Sequence, residues 1–133
     1  MAGEAHLAGV HHTSLTVTDL DRSVQWYQDV LGMQVIIDMP GDSPRKVMLH
    51  PSGFVLGFVQ HASTSPVDSF DPFRVGLDHI GLAVASQDDL IAWQAKLDEL
   101  GVEHGPLEDV PYAWAITAKD PDGTQVEFFV SKA

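Results

Sequence analysis

Gly76-Leu77-Asp78-His79-Ile80-Gly81-Leu82-Ala83-Val84 is the stretch on which the reading of this chain turns. Ile80, Leu82 and Val84 alternate with His79, Gly81 and Ala83, which is the period-2 pattern of a strand. One face is apolar and suited to packing on a helix. The other carries His79 above two nearly bare positions, so there is room for something to approach the imidazole. An earlier stretch, Gly9-Val10-His11-His12-Thr13-Ser14-Leu15-Thr16-Val17, repeats the pattern, with His12 placed 67 residues before His79. The chain reads as one unit written twice, with a histidine at the front of each copy.

The segments that follow each stretch agree. Asp19 to Ser23 supplies N-terminal helix chemistry, since carboxylates are favoured by first-turn amides. Leu20, Val24, Tyr27 and Leu31 then fall on one helical face, and Gly32 stands where a left-handed cap belongs. Met33 to Met39 reads as a buried strand, Pro40 to Pro44 as a turn. Lys46 to Leu49 and Phe54 to Val59 read as strands joined through Pro51-Ser52-Gly53. From about 62 to 75 the composition turns to Ser, Thr, Pro and Asp, as in a linker.

The order then recurs. Ser86 with Asp89 makes a capping-box pattern, Leu90, Trp93, Leu97 and Leu100 form the apolar stripe, and Gly101 closes the helix. Strands are expected near Val102 to Leu107 and from Val110 to Ala118. After the turn Asp120-Pro121-Asp122-Gly123 comes a strand from Thr124 to Val130. The two Pro-x-Gly turns lie 70 residues apart. The prediction is an α+β chain of two tandem βαβββ modules, about 8–61 and 76–130, within one domain spanning 1–133.

Composition limits the function classes. Nineteen acidic against seven basic residues give a formal charge of −12, which works against binding a polyanion such as nucleic acid. The bland account of the acids is a solvated face. The absence of cysteine removes disulfides, thiolate metal sites and a Cys nucleophile. No apolar run approaches the roughly 18 residues of a membrane span. The start, Met1 to His6, lacks the basic and apolar regions of a signal peptide, so a cytoplasmic location is expected.

Paired βαβββ modules with a histidine at each first strand resemble the vicinal oxygen chelate superfamily of glyoxalases, bleomycin-resistance proteins, fosfomycin-resistance enzymes and extradiol dioxygenases. His12-x-x-x-x-Val17-x-Asp19 and Asp120-Pro121-Asp122-Gly123-x-x-x-Glu127 carry the resemblance most specifically. It implies half-open β-sheets around a cavity, with metal ligands on the first and last strands of each module. Carried over, these fall on His12, His79 and Glu127. The fourth place falls on Gly57, which has no side chain to coordinate with and is a departure from the glyoxalase pattern. The parity of Thr13, Leu15 and Val17 makes His12, rather than His11, the inward residue. The alternative is that some of these groups are core-edge polar residues satisfied by hydrogen bonds. His50 reads as a turn residue, and His6, His61 and His104 as solvated.

Two imidazoles and one carboxylate form the facial set that leaves positions open and suits Fe(II); Mn(II), Zn(II) and Ni(II) remain possible. The cavity positions, Ser14, Thr16, Gly57, Gly81, Ala83, Ala115 and Thr117, are small and imply room for a sizeable organic ligand. Trp114 and Tyr112 have the opposite parity and read more readily as core than as stacking groups. Two function classes follow. One is a metalloenzyme, dioxygenase-type or glyoxalase-like, acting on a small to medium organic molecule. The other is a bleomycin-resistance-type protein sequestering a bulky aromatic compound. In small members of the family modules of different chains often pair, so a homodimer with sites shared between chains is expected.

Overall fold

Alternating apolar residues become two four-stranded sheets, each with one helix laid on one face. The computed structural model describes residues 3–133 and divides at Ser65/Pro66 into two compact units. The first holds β1 (Thr13–Thr16), α1 (Leu20–Leu31), β2 (Gln34–Met39), β3 (Arg45–Leu49) and β4 (Val55–Val59). The second holds β5 (Ile80–Ala83), α2 (Gln87–Glu99), β6 (Glu108–Val110), β7 (Ala113–Lys119) and β8 (Gln125–Ser131). Strand order is β1-β4-β3-β2 in one sheet and β5-β8-β7-β6 in the other. In both, the first strand pairs in parallel with the last and the remaining pairs are antiparallel. The α+β class and the repeated βαβββ order are as the sequence predicts. Among the described residues no helix is long and apolar enough to cross a membrane.

In the first unit, Asp19 Oδ1 accepts from Arg22 N at 3.1 Å and starts α1. Gly32 ends it at φ +71°, a left-handed conformation that costs a glycine little. Leu20, Val24, Tyr27 and Leu31 are buried, and the Tyr27 ring lies 4.7 Å from that of Phe58 on β4. In the second unit Ser86 Oγ accepts from Asp89 N at 3.1 Å, the expected cap. Leu90 and Leu97 are fully buried, and Trp93 stacks on Phe128 of β8 at 4.5 Å. Leu100 departs from the expected stripe. It is the C-cap, beyond Glu99 where α2 ends, and 46% exposed.

Three strand expectations are corrected. The stretch from Val110 to Ala118 is not one strand, because a turn at Pro111-Tyr112 leaves Val110 in β6 and starts β7 at Ala113. Met33 is buried, but β2 itself is not a buried strand: Ile36, Ile37 and Met39 are all about half exposed. β2 is the edge of its sheet, and a register shift between Val35 and Ile37 turns neighbouring isoleucines outward together. Residues 102–107 form no strand, only an isolated bridge from His104 to Ala118. Gly105-Pro106 interrupts pairing there, since proline has no N–H to give a ladder, and β6 begins at Glu108. The Asp120-to-Gly123 turn is built as expected. Asp120, 5% exposed, accepts from both Asp122 N and Thr124 N at 2.9 Å, and Gly123 takes φ +84°. Met1 and Ala2, where the leader argument starts, lie outside the described residues.

His104 is not the solvated residue that its place beside Gly105-Pro106 suggests. Its side chain is only 12% exposed, and both ring nitrogens are engaged, Nδ1 with Gly105 O at 2.7 Å and Nε2 with Asp98 Oδ1 at 2.5 Å. Both partners are acceptors, so both nitrogens must donate, and that requires the imidazolium. The Asp98 carboxylate and then the Gly105 carbonyl raise its pKa above the ordinary 6.5, against the opposing effect of burial. A histidine with a raised folded-state pKa adds stability that is complete below the unfolded value and lost as pH rises through the folded one. The expected outcome is that wild type exceeds His104→Gln most at about pH 5.5, with the gap closing by about pH 8.5. Urea midpoints at the two pH values check this, and a gap that widened with pH would contradict it.

Candidate metal centre

Strand parity separates a helix-covered face from an open face in each sheet. On β8, Val126, Phe128 and Val130 are buried, while Gln125, Glu127 and Phe129 are only half buried and lie on the opposite face. Register then sets the neighbours. Glu127 lies between Gly81 on β5 and Thr117 on β7, and Phe129 lies between Ala83 and Ala115. Gly81 and Ala83 are exposed, Thr117 is half-buried and Ala115 is buried. Trp114 is opposite Val130 on the helix-covered face, with Lys132 Nζ 4.7 Å from its ring, so core packing describes it. Tyr112 is 67% exposed.

His79 immediately precedes β5, two residues before Gly81. Its Nε2 stands 3.6 Å from Glu127 Oε1, and its Nδ1 is 2.8 Å from Asp78 Oδ1. The Asp78 carbonyl accepts from Gln125 Nε2 at 2.9 Å, which ties the residue before His79 to the strand that bears Glu127. Both side chains are partly accessible, His79 at 43% and Glu127 at 22%.

The first unit has the same layout with different chemistry. Ser14 is paired with Gly57, as Gly81 is with Glu127, so His12 stands to β1 as His79 stands to β5. His12 Nδ1 lies 2.9 Å from His11 Nδ1, and both rings are exposed. Ser14 and Thr16 are exposed and Gly57 is buried. A Cβ on Gly57 would be 2.6 Å from Ser14 Oγ, so the serine hydroxyl leans over the place where a side chain from β4 would start.

The structure thus brings His79 and Glu127 together and places His12 in the other unit beside His11. Among the described residues, no three His, Asp or Glu side chains are gathered closely enough to hold a metal ion. The donor chemistry of the assembled pair nevertheless suits one. Two bonds of about 2.1 Å each can span up to ~4.2 Å, so 3.6 Å is within reach of one ion. A neutral His79 that donates Nδ1–H to Asp78 turns the Nε2 lone pair toward a carboxylate, an arrangement that a cation between them stabilises.

Reading the sequence by faces passed over Asp78 and His11, because each shares the parity of the helix side. Their signal was only adjacency, a polar side chain directly before each histidine. A shallow groove of about 320 Å³ between the end of β5 and α2, lined by Ala85, Trp93 and Lys96 among others, does not include His79 or Glu127. His50 is a turn residue, with Nδ1 accepting from Ser52 N at 3.0 Å and its ring stacked on Phe54.

Comparison with known proteins places this geometry. Lactoylglutathione lyase of Haemophilus influenzae is 29% identical over 133 residues, covering 92% of each chain. The structure of a glyoxylase/bleomycin resistance protein/dioxygenase domain from Frankia sp. EAN1pec matches with a TM-score of 0.86 at 30% identity, over 96% of this chain and 94% of that one. FosX, the fosfomycin resistance protein of Listeria monocytogenes, in its complex with Mn(II) and sulfate, shares the fold at a TM-score of 0.72 and 20% identity, over 94% and 93% of the two chains. The glyoxalase family model, which describes the Glyoxalase/Bleomycin resistance protein/Dioxygenase superfamily, matches residues 9–128. With its duplicated βαβββ units and a histidine before each first strand, the chain belongs to that superfamily.

Proposed function

We propose that this protein is a divalent-metal-dependent enzyme that acts on a small to medium organic molecule, with His12, His79 and Glu127 as the protein ligands. The observation that carries this reading is the His79–Glu127 pair, 3.6 Å apart on an open sheet face, with the far side of the imidazole already engaged by Asp78. Two imidazoles and a carboxylate favour Fe(II), while Mn(II), Zn(II) and Ni(II) accept the same donors. When bound, the ion supplies a Lewis acid for adjacent substrate oxygens. The chain's own residues do the rest. Gly81 and Thr117 beside Glu127, and Ala83 and Ala115 beside Phe129, leave space above the donors for an organic body. Gly57 brings no carboxylate that could remove a proton from substrate, which favours dioxygenase-type chemistry over isomerisation through a protein base at that place.

We also infer a homodimer that completes its sites by exchange of units, with His12 from one copy and His79 with Glu127 from the other. Leu7, Val10, Phe73 and Val75 are all close to fully exposed in the single chain, and a second copy would cover such surface.

Three measurements test these readings. Protein purified without a histidine tag is expected to carry divalent metal, and Glu127→Gln to weaken its binding by about 100-fold or more, since even outer-shell changes cost 10–100-fold. Metal content unchanged in both Glu127→Gln and His79→Ala would remove the site, and a metal-free wild type that binds aromatic compounds would favour sequestration. The double change Ser14→Ala, Gly57→Glu opens the space under the serine hydroxyl and adds a carboxylate. It should tighten metal binding and fill a position otherwise open to substrate; affinity equal to wild type would show that position 57 does not face the ion. A one-to-one mixture of His12→Ala and Glu127→Gln chains, once subunit exchange is verified, should regain about a quarter of the intact sites, because half the dimers are mixed and each regains one site of two. No recovery would mean that each chain builds its own site.

A further inference from the structure

We propose that Asp78 is a positioning residue. It fixes the His79 ring as the Nδ1–H tautomer and so presents the bare Nε2 to the ion and to Glu127. The proposal rests on the metal reading above for what Nε2 is presented to, but not for the tautomer itself.

The argument begins with what a carboxylate can do. Ionised, it only accepts, so the 2.8 Å contact between Asp78 Oδ1 and His79 Nδ1 requires the proton on Nδ1. A neutral imidazole has one proton to place, so Nε2 keeps a lone pair. An isolated histidine side chain prefers the opposite tautomer, with the proton on Nε2. Without Asp78 the more populated ring form would therefore point N–H at the ion's place and would have to re-tautomerise before binding. At 3.6 Å, Nε2 and Glu127 Oε1 are beyond the 2.7–3.2 Å of an N–H···O bond, so no hydrogen bond between them competes for that proton.

Asp78 is itself held where it acts. Its carbonyl receives Gln125 Nε2 at 2.9 Å, and Gln125 is two residues before Glu127 on the same face of β8. One strand thus locates the carboxylate ligand directly and the histidine ligand through Asp78. The Asp78 side chain is 69% exposed, so it fills no core space and packing does not explain its contact with the ring. The first unit repeats the device: His11, the residue before His12, engages His12 Nδ1 at 2.9 Å. In both copies the side chain before the histidine engages its Nδ1, once through a carboxylate and once through a second imidazole.

Metal-free protein at about pH 8, labelled with ¹⁵N, gives the tautomer of His79 from long-range ¹H–¹⁵N correlations. Wild type should show Nδ1–H. Asp78→Asn should keep it, because the amide oxygen also accepts, and Asp78→Ala should move the population toward Nε2–H. Mn(II) titration should then show Asp78→Ala weakened by about 10–100-fold and Asp78→Asn by less. Thermal midpoints without metal should be alike in all three, which separates positioning from loss of fold. An Nε2–H His79 in wild type, or an Asp78→Ala protein with unchanged tautomer, would overturn the proposal, and neither reading needs metal. Unchanged Mn(II) affinity in Asp78→Ala, in a protein where Glu127→Gln loses the ion, would overturn its metal-positioning part. Mn(II) binding indifferent to Glu127→Gln would instead overturn the metal reading of the site.

Discussion

Parallel pairing of the first and last strand in each unit is the constraint from which the rest follows. A parallel pair cannot be closed by a tight turn and needs a long crossover, which in each unit here is a helix followed by two more strands. That route puts a residue from the beginning of each unit next to one from its end, 43 positions later in the first unit (Ser14 and Gly57) and 46 in the second (Gly81 and Glu127). In the second unit the pairing of Gly81 with Glu127 sets His79 and Glu127 on one face. In the first, the pairing of Ser14 with Gly57 sets His12 beside a strand with no donor to give. The two units share a geometry and differ in chemistry.

Which face Glu127 takes depends on where β8 starts, and Asp120 decides that. Its Oδ1 holds the amides of Asp122 and Thr124, closing the turn so that Gln125 is the first paired residue, opposite Lys119. A slip of one residue would send Glu127 toward α2 and Phe128 outward, exchanging a buried aromatic for a carboxylate. Removing an acceptor from two such amides costs about 1–3 kcal/mol for each group left unsatisfied, a large part of a small domain's margin. The segment most characteristic of the family in this sequence thus acts on the placement of Glu127 through register.

Features written in residue periodicity were legible before any coordinates: the alternation around Ile80, Leu82 and Val84, the helical faces of Leu20 to Leu31 and of Leu90 and Leu97, the cap at Gly32 and the repeat offsets. Each depends on neighbours a few residues away. Exposure of β2 was not legible, because an edge strand and a central one can share a composition and differ only in whether another strand lies beside them. The 102–107 segment was misread because its apolar residues outweighed Gly105-Pro106. For the site, parity placed the histidines and Glu127 on open faces, yet parity also assigned Asp78 and His11 to the covered side. Both precede the start of regular pairing, where the strand rule does not hold, and there their side chains reach the adjacent ring. Ser14 was read as a bare wall position. Its hydroxyl covering Gly57 is a fact of rotamer, which no pattern encodes.

The asymmetry between the units bears on what the protein can do with an ion. The second unit offers an imidazole and a carboxylate already 3.6 Å apart, whereas the first has the adjacent imidazoles of His11 and His12 and a glycine, Gly57, in the place of the carboxylate. Asp78 and Glu127 bracket His79 with two negative charges in a chain of net charge −12, so the field at this point favours a dication and disfavours an anionic group near it. A phosphonate or a polycarboxylate would have to approach against that field with no arginine or lysine on β8 to receive it. A neutral or singly charged organic molecule with an apolar body meets no such opposition, and Ala83, Phe129 and Ala115 form a row one step beyond Glu127 on which that body can rest. On the metal reading proposed above, the charge and the sterics of the open face favour the same kind of ligand.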